Sequence, residues 1–387
     1  MDFTLNAEQS AFQDAVRNFS SKELKDKALE RAHEDDYPYD IARQMAQQGL
    51  FGITLPEDKG GQGGTLFDAV IAIEAVALAC PRSGDVVQAG NFGAIRVLGE
   101  FATPGQRERF LDPLLRGDSL IATGMTEPDA GSSATDLTTR AAPDGDGYRV
   151  SGTKVFTTHG RHADLFLVYV RFGPGVNGIG SVLVERGAGG LSFGKPTRFL
   201  SGESWNALYF DNVYVPRENV LLGEGGFKRQ INAFNVERLG NSARSLALGE
   251  YAFRVARDYA LTRKQFGRPL CEFQGLQWKF ANMRMELDAA RLLLYRAAIS
   301  ADRGLPTPAE TAIAKAYCNK AGFQAANEAM QIMGGAGYSE DSLVEYCFRR
   351  TRGWMIAGGS MEVMLNRIAE QVFDRAFSQR PPAAPRT

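Results

Sequence analysis

The sequence predicts an α+β protein in three successive parts: an N-terminal helical domain, a middle antiparallel β domain and a C-terminal helical bundle. Three observations carry that expectation. Apolar residues recur at helical spacing over 1–120. Over 121–226 the texture changes to short alternating runs divided by Gly, Asp and Pro turns. Helical texture then returns over 227–380, ahead of a Pro/Ala-rich tail at 381–387 that reads as disordered.

Each part has its own signals. Met1-Asp2-Phe3-Thr4-Leu5-Asn6-Ala7-Glu8 starts directly with a capped helix rather than a signal or transit peptide, and Leu5, Phe12, Val16 and Phe19 give its apolar face. A second pattern runs from Ile41 to Leu50, followed by a Gly-rich loop from Pro56 to Gly64. Phe67 to Cys80 is apolar on nearly every side and is predicted to be a buried helix. Pro81-Arg82-Ser83-Gly84 breaks it, and a further helix carries Phe92, Ile95, Val97 and Leu98. Strands are predicted around Tyr148–Gly152, Leu165–Val170, Ser181–Val184 and Ala207–Phe210, where β-branched and aromatic residues concentrate. Four or five long helices follow from 227, with turns at Arg268-Pro269, Gly304–Pro306, Gly334–Gly337 and Ala357–Gly359.

Composition narrows the function. The 387 residues are 44% hydrophobic and 23% charged with a formal net charge of −1. That is enough chain for two or three domains, and the charge balance argues against nucleic acid as the main partner. No apolar run has membrane-spanning length. Cys80, Cys271, Cys318 and Cys347 are scattered, mostly in apolar helical contexts, and read as reduced thiols of a cytoplasmic protein. His159 and His162 lack the accompanying ligands that a metal site needs, so no metal is expected.

Five stretches carry possible chemistry. The stretch Thr123–Ser132 contains Glu127-Pro128, which forbids a regular helix, and leaves a bent loop with the hydroxyls of Thr126 and Ser132 and many free N–H groups. Such a loop suits a flat heterocycle or an anion; it also reads as a plain turn before a strand. Lys154 to Thr158 ends a strand and offers Phe156 for ring packing and a hydroxyl for a ring nitrogen, or is simply a strand end. Arg263 to Gln274 leaves one helix and enters another. Its Arg263 is a fixed charge suited to pyrophosphate, unless the loop is only a solvated basic turn. Gln331 to Gly337 has three glycines, of which a helix C-cap explains one. Ile356 to Glu362 has the same permissive backbone.

In this order and spacing the five stretches resemble the acyl-CoA dehydrogenase family over nearly the whole chain. The resemblance implies FAD bound between subunits of a homotetramer, an acyl-CoA substrate, an electron-transfer flavoprotein as acceptor, and a place in fatty-acid or amino-acid catabolism. It implies proton removal from C2 of the thioester and hydride transfer from C3 to flavin N5. By position, Met125, Thr126, Phe156 and Thr158 face the isoalloxazine, and Ser132 reaches FAD or the CoA chain. Arg263, Gln265, Phe266 and Gln274 hold FAD from a neighbouring subunit. Gln331, Gly334 and Gly335 meet the same cofactor, with Ser360 and Glu362 near it. Asn235 and Arg238 lie along the CoA moiety.

One departure decides the expected base. Most members of the family carry a catalytic glutamate where this chain has Gly358, which cannot accept a proton. The isovaleryl-CoA and long-chain branches place it on the first helix of the C-terminal bundle, before an Arg; Glu237-Arg238 occupies that place. The helical neighbours of Glu237, namely Ala233, Gly240 and Asn241, are small or short and would leave a gap beside the carboxylate. Its bland reading is a solvated helix glutamate. Gly358 is expected to act through its N–H on the thioester carbonyl. Arg82-Ser83 resembles the pair that binds a distal carboxylate in glutaryl-CoA dehydrogenases; alternatively Arg82 is an exposed residue of a helix cap. Two alternatives stand beside the dehydrogenase: a relative with other chemistry, of the desulfinase or flavin monooxygenase type, and a structural subunit of a mixed complex.

Overall fold

Asn6 caps the first helix through a reciprocal box: its side chain accepts from the Gln9 N–H, and Gln9 Oε1 accepts from the Asn6 N–H. The computed structural model describes residues 4–301 and 307–379, so the expected turn at 304–306 and the tail at 381–387 lie outside the described residues. Helices α1 (Ala7–Glu23), α2 (Ala28–His33), α3 (Tyr39–Gln47), α4 (Leu66–Ala77), α5 (Pro81–Ala89), α6 (Ala94–Phe101), α7 (Pro104–Gln106) and α8 (Asp112–Leu115) form the first part. Every residue of α4 except Asp68 is buried, which suits its all-round apolar sequence. Its Glu74 is paid for inside the core by Arg291 Nε at 3.2 Å and Tyr295 Oη at 2.7 Å. Pro81 opens α5 as its first residue, so the break expected at 81–84 is a boundary between two helices.

The middle part is a nine-stranded sheet. Its strands are β1 (Ile121–Gly124), β2 (Arg140–Asp144), β3 (Gly147–Thr158), β4 (Leu165–Arg171), β5 (Ile179–Glu185), β6 (Leu191–Phe193), β7 (Thr197–Arg198), β8 (Ser204–Pro216) and β9 (Val220–Leu222). The path is β6-β8-β3-β2-β4-β5-β9, with β1 on β4 and β7 on β8. Most pairs are antiparallel, but β1 runs parallel to β4, with Ile121 opposite Leu165. Alternation within a run does not reveal strand direction, and the long stretch between β1 and β4 is what a parallel pair requires. The first six residues of β4 and of β5 are buried, so the sheet centre is covered on both faces.

The C-terminal part consists of α9 (Gly226–Thr262), a ribbon of β10 (Lys264–Gln265) and β11 (Arg268–Pro269), and helices α10 (Gln274–Ala301), α11 (Pro308–Met333), α12 (Gly335–Tyr338), α13 (Leu343–Trp354) and α14 (Met361–Val372). The 37 residues of α9 make one continuous rod, about 55 Å long at 1.5 Å per residue. It crosses α11 with the two backbones touching. A Cβ on Gly249 would lie 2.7 Å from Gly322 Cα, and one on Gly322 would lie 2.2 Å from the Ser245 carbonyl oxygen. No other residue type fits at that crossing without moving a helix.

Candidate active site

Glu237 points from α9 toward the junction of α5 and α6. Only 15% of its side chain is accessible. Gln88 Nε2, on α5, donates to both of its carboxylate oxygens, at 2.7 and 2.6 Å. Arg244, two turns along the same helix, approaches one oxygen to 4.0 Å. Burial pushes Glu237 up to about 7, against the opposing pull of Arg244, Gln88 and Lys315. A solvated surface glutamate is thereby ruled out. Small neighbours do not leave the expected gap at Gly240, however. A Cβ there would meet the Phe92 ring at 2.8 Å and Gln88 Cγ at 3.1 Å. The missing side chain admits the N-terminal domain against α9, a contact that helical spacing does not disclose.

Behind Arg244 lies a buried ionic cluster drawn from all three parts of the chain. Arg244 Nη1 donates to Asp85 at 3.0 Å, Arg350 Nε to the other oxygen of Asp85 at 2.9 Å, and Arg350 also bonds Glu203. Arg82 Nη1 lies 3.7 Å from Glu203. Burial alone would raise Asp85, but Arg350, Arg244 and Arg82 hold it below the usual carboxylate range. His159 beside them is pushed down to about 3 by burial and by Arg82 and Arg350, and stays neutral near pH 7. The reading of Arg82 as an exposed cap therefore fails, since it is only 4% accessible. Its Nη2 is buried without a partner, as is Arg244 Nε.

The Gly358 turn is positioned from below by α11. Lys315 Nζ donates to the carbonyls of Trp354 at 3.0 Å and Gly359 at 2.8 Å. Asn319 donates to Trp354 O at 2.8 Å and to Asn241 Oδ1 on α9 at 3.0 Å. The turn is thus tied to the helix that carries Glu237. Burial, then Arg238, pulls Lys315 down to about 7. Gly358 and Gly359 have φ of +70° and +95°, a region that favours glycine. A Cβ on Gly358 would have Lys315 Cε at 3.5 Å and Asn241 Nδ2 at 3.8 Å as its nearest neighbours.

The loop after β1 and the end of β3 form one rim. Val155 N–H donates to Thr126 O at 2.8 Å and Lys154 Nζ to Met125 O at 3.2 Å. Glu127 folds beneath, accepting from the N–H groups of Thr138 at 2.6 Å and Thr139 at 2.8 Å and from Lys154 Nζ at 2.8 Å. Burial opposes its charge, yet Lys154 and these donors hold Glu127 at about 2, while burial draws Lys154 to about 8. The pair is therefore ionised at neutral pH. A register shift between Lys154 and Thr157 turns Phe156 outward at φ +56°. The residue is 54% exposed, and its ring centroid lies 4.7 Å from that of Trp205. An exposed aromatic in a strained backbone, beside Met125, Thr126 and Thr158, fits the edge of a planar cofactor such as the flavin ring.

The remaining expected residues sit as follows. Ser132, Arg263, Gln265, Gln274, Gln331, Gly334 and Gly335 are exposed. Phe266 is 94% exposed at φ +50°. Nothing lies within 4 Å of where a Cβ on Gly334 or Gly335 would stand, which leaves their backbone open to a ligand. Ser360 caps α14 by accepting from Val363 N–H, and a backbone hydrogen bond, then the Ser360 hydroxyl, hold the exposed Glu362 carboxyl below its ordinary value. Asn235 is buried and accepts from Arg238 Nη1 at 2.7 Å; Arg238 Nε is buried without a partner. Among the described residues no group of three or more His, Cys, Asp or Glu is arranged to hold a metal, and no helix is long and apolar enough to cross a membrane. Gln88, Arg244, Lys315 and the pairing of Glu127 with Lys154 were not anticipated. Lys315, a lone charge in an alanine-rich apolar run, offered the clearest signal; Gln88 offered none.

Comparison with known proteins gives matches along the whole chain. Residues 6–118, 122–213 and 224–373 match, respectively, the N-terminal, middle and C-terminal domains of acyl-CoA dehydrogenase. The short-chain specific acyl-CoA dehydrogenase of Clostridium acetobutylicum is 34% identical over 96% of this chain and 100% of its own. The 3-sulfinopropanoyl-CoA desulfinase of Paraburkholderia xenovorans is 32% identical over 98% of this chain and 99% of its own. The solved butyryl-CoA dehydrogenase of Megasphaera elsdenii superposes with a TM-score of 0.90 at 33% identity, covering 96% of this chain and 100% of that one.

Proposed function

The chain belongs to the acyl-CoA dehydrogenase family, and from that premise we propose that it forms a 2,3-double bond in an acyl-CoA thioester with Glu237 as the base. The observation that carries this reading is the Glu237 carboxylate, enclosed between α5 and α9 and raised to about 7 by burial. A C2 proton is too weakly acidic to leave without a desolvated base near the working pH. The N–H of Gly358, on the turn held by Lys315, is assigned to the thioester carbonyl, where it would stabilise developing negative charge. Arg238 and Asn235 are assigned to the CoA moiety.

FAD, when bound, supplies the hydride acceptor. Met125, Thr126, Phe156 and Thr158 are assigned to its ring, and Ser132 to FAD or the CoA chain. Arg263, Gln265, Phe266 and Gln274 are assigned to the FAD of a neighbouring subunit in a homotetramer. Gln331, Gly334, Gly335, Ser360 and Glu362 complete its surroundings, and an electron-transfer flavoprotein takes the electrons. The exposure of Arg263, Gln265 and Phe266 in a single chain supports a role across a subunit boundary.

A desulfinase is the second reading. Relatives of that name match as well as the dehydrogenases do, and the unpartnered Nη2 of Arg82 suits an anionic acyl end. Glu237 favours dehydrogenation, because replacing the C3–S bond by C3–H with water as co-reactant and sulfite as product removes no proton from C2. Anaerobic mixing with butyryl-, isovaleryl-, glutaryl- and 3-sulfinopropanoyl-CoA separates the two. Flavin bleaching with one of the first three supports dehydrogenation. Sulfite release from the fourth, with no flavin bleaching by the others, replaces it with desulfination.

A further inference from the structure

We propose that Gln88 is a positioning residue for the base: its amide holds Glu237 as a carboxylate in the empty site and becomes the acceptor of the acid O–H once Glu237 has taken the proton. The inference rests on the reading of Glu237 as the base.

The geometry is specific. Gln88 Nε2 stands 2.7 and 2.6 Å from the two oxygens, so it lies close to the axis that bisects the carboxylate. That position faces the inner lone pairs of both oxygens, which are also where a proton binds. A C2 proton must arrive from the side of Glu237 away from Gln88, and it cannot settle at the inner position while the donor remains. Rotation of the amide by a half turn replaces the N–H with Oε1, which can accept from a carboxylic acid O–H. One side chain thus serves both protonation states, and no bond of Gln88 is broken. The proton moves from C2 to a Glu237 oxygen, and the C–H electron pair stays on the thioester.

Among the described residues no other side chain hydrogen-bonds the Glu237 carboxylate. On α9, Arg244 Nη2 is 4.0 Å from Glu237, outside hydrogen-bond range, and its Nη1 is engaged by Asp85. On α11, Lys315 Nζ is taken by the carbonyls of Trp354 and Gly359. From the turn before α6 the nearest approach is Gly93, which brings no polar side chain; a Cβ there would lie 3.3 Å from Glu237 Oε2. Gln88 itself is 7% exposed, so water does not replace the amide freely. With Glu237 raised to about 7, both of its protonation states are populated near neutral pH.

The test uses the flavin-loaded protein and two readouts. One is the Glu237 carboxyl titration, taken from infrared spectra by subtraction of Glu237→Gln. The other is the pH profile of flavin bleaching. A hydrogen bond to the charged form is the stronger of the two, so Gln88→Leu should raise the titration and the acid limb together, by about one pH unit. The rate at pH 6 should fall about tenfold and recover by pH 9. Gln88→Glu should move both further, because two carboxylates then share one proton. Gln88→Met replaces the leucine variant if that one loses its flavin. An unchanged titration in Gln88→Leu or Gln88→Met overturns the proposal, as does a rate loss equal at every pH, which a merely structural contact would give. If Glu237→Gln bleaches as fast as wild type, the base assignment fails instead, and the infrared titration still reports whether Gln88 governs the Glu237 proton.

Discussion

Lys154 Nζ lies 2.8 Å from Glu127 Oε1, and the two side chains are 0% and 4% accessible. This buried pair joins the end of β3 to the loop after β1, whose Met125 and Thr126 are assigned to the flavin ring. Glu127→Gln leaves the ammonium without a charged partner in the core, at a cost of about 3–5 kcal/mol. The expected outcome is a lower Tm together with weaker flavin retention. The wild-type pair also has a pH signature. Glu127 sits at about 2 against an ordinary 4.5, so its contribution is present above pH 4.5 and lost as the pH falls through about 2. Chemical denaturation across that range should show a loss in wild type that Glu127→Gln lacks.

Glu237→Gln should keep FAD and acyl-CoA binding and slow flavin reduction by roughly 10²–10⁴-fold, measured by stopped flow. Wild-type reduction should rise with pH through about 7 as Glu237 ionises. Stability runs the other way. A group raised from 4.5 to about 7 favours the folded state below pH 4.5 and gives that up as the pH passes about 7. Glutamine has no such loss. Glu237→Gln should therefore be more stable than wild type at pH 8, by on the order of 1–3 kcal/mol, and level with it near pH 4. Adding Gly358→Glu should restore part of the rate. Its φ of +70° sets a limit on the rescue, since a side chain in that region costs about 1–2 kcal/mol.

Arg263→Ala should lower the flavin content of the purified protein and shift its sedimentation toward smaller species together. The arginine is exposed at the C-terminal end of α9, where the chain leaves the helix for the β10–β11 ribbon. Full flavin and an unchanged oligomer would return it to the solvated loop.

Arg82→Ala should raise the KM for glutaryl- or 3-sulfinopropanoyl-CoA far more than for butyryl- or isovaleryl-CoA. Glu203 keeps its bond to Arg350 in the variant, so the cluster retains a counter-charge. Equal effects on both substrate classes would make Arg82 a structural member of the cluster only.

Much of this protein was legible in its sequence because the informative signals are local. An all-round apolar run marked α4, and concentrations of β-branched and aromatic residues marked β4 and β5. Glycine-rich turns marked the ends of α11 and α13, and Gly358 directed attention to Glu237. The parallel direction of β1 was not legible, because direction is set by where a strand docks. Nor was the Gln88–Glu237 contact, whose members lie 149 residues apart and carry no joint pattern. Gly240 shows the same limit in reverse. A missing side chain marks a close approach, but the sequence does not say whether Phe92 or a substrate makes it. Arg82 was placed near the right helix boundary, yet only three-dimensional packing brings it to Glu203, 121 positions later in the numbering.

The crossing at Gly249 and Gly322 predicts an uneven tolerance to inheritance. Glu237 rides on α9, and the Gly358 turn hangs from Lys315 on α11, so the spacing between them depends on how closely those two rods lie. Neither glycine has any chemistry to perform. In a saturation mutagenesis map scored for turnover, both should nevertheless rank with the base itself, while most solvent-facing positions of the same helices accept nearly anything. Lineages of this protein would then be free to vary the outer faces of these rods and held to a single letter where they touch.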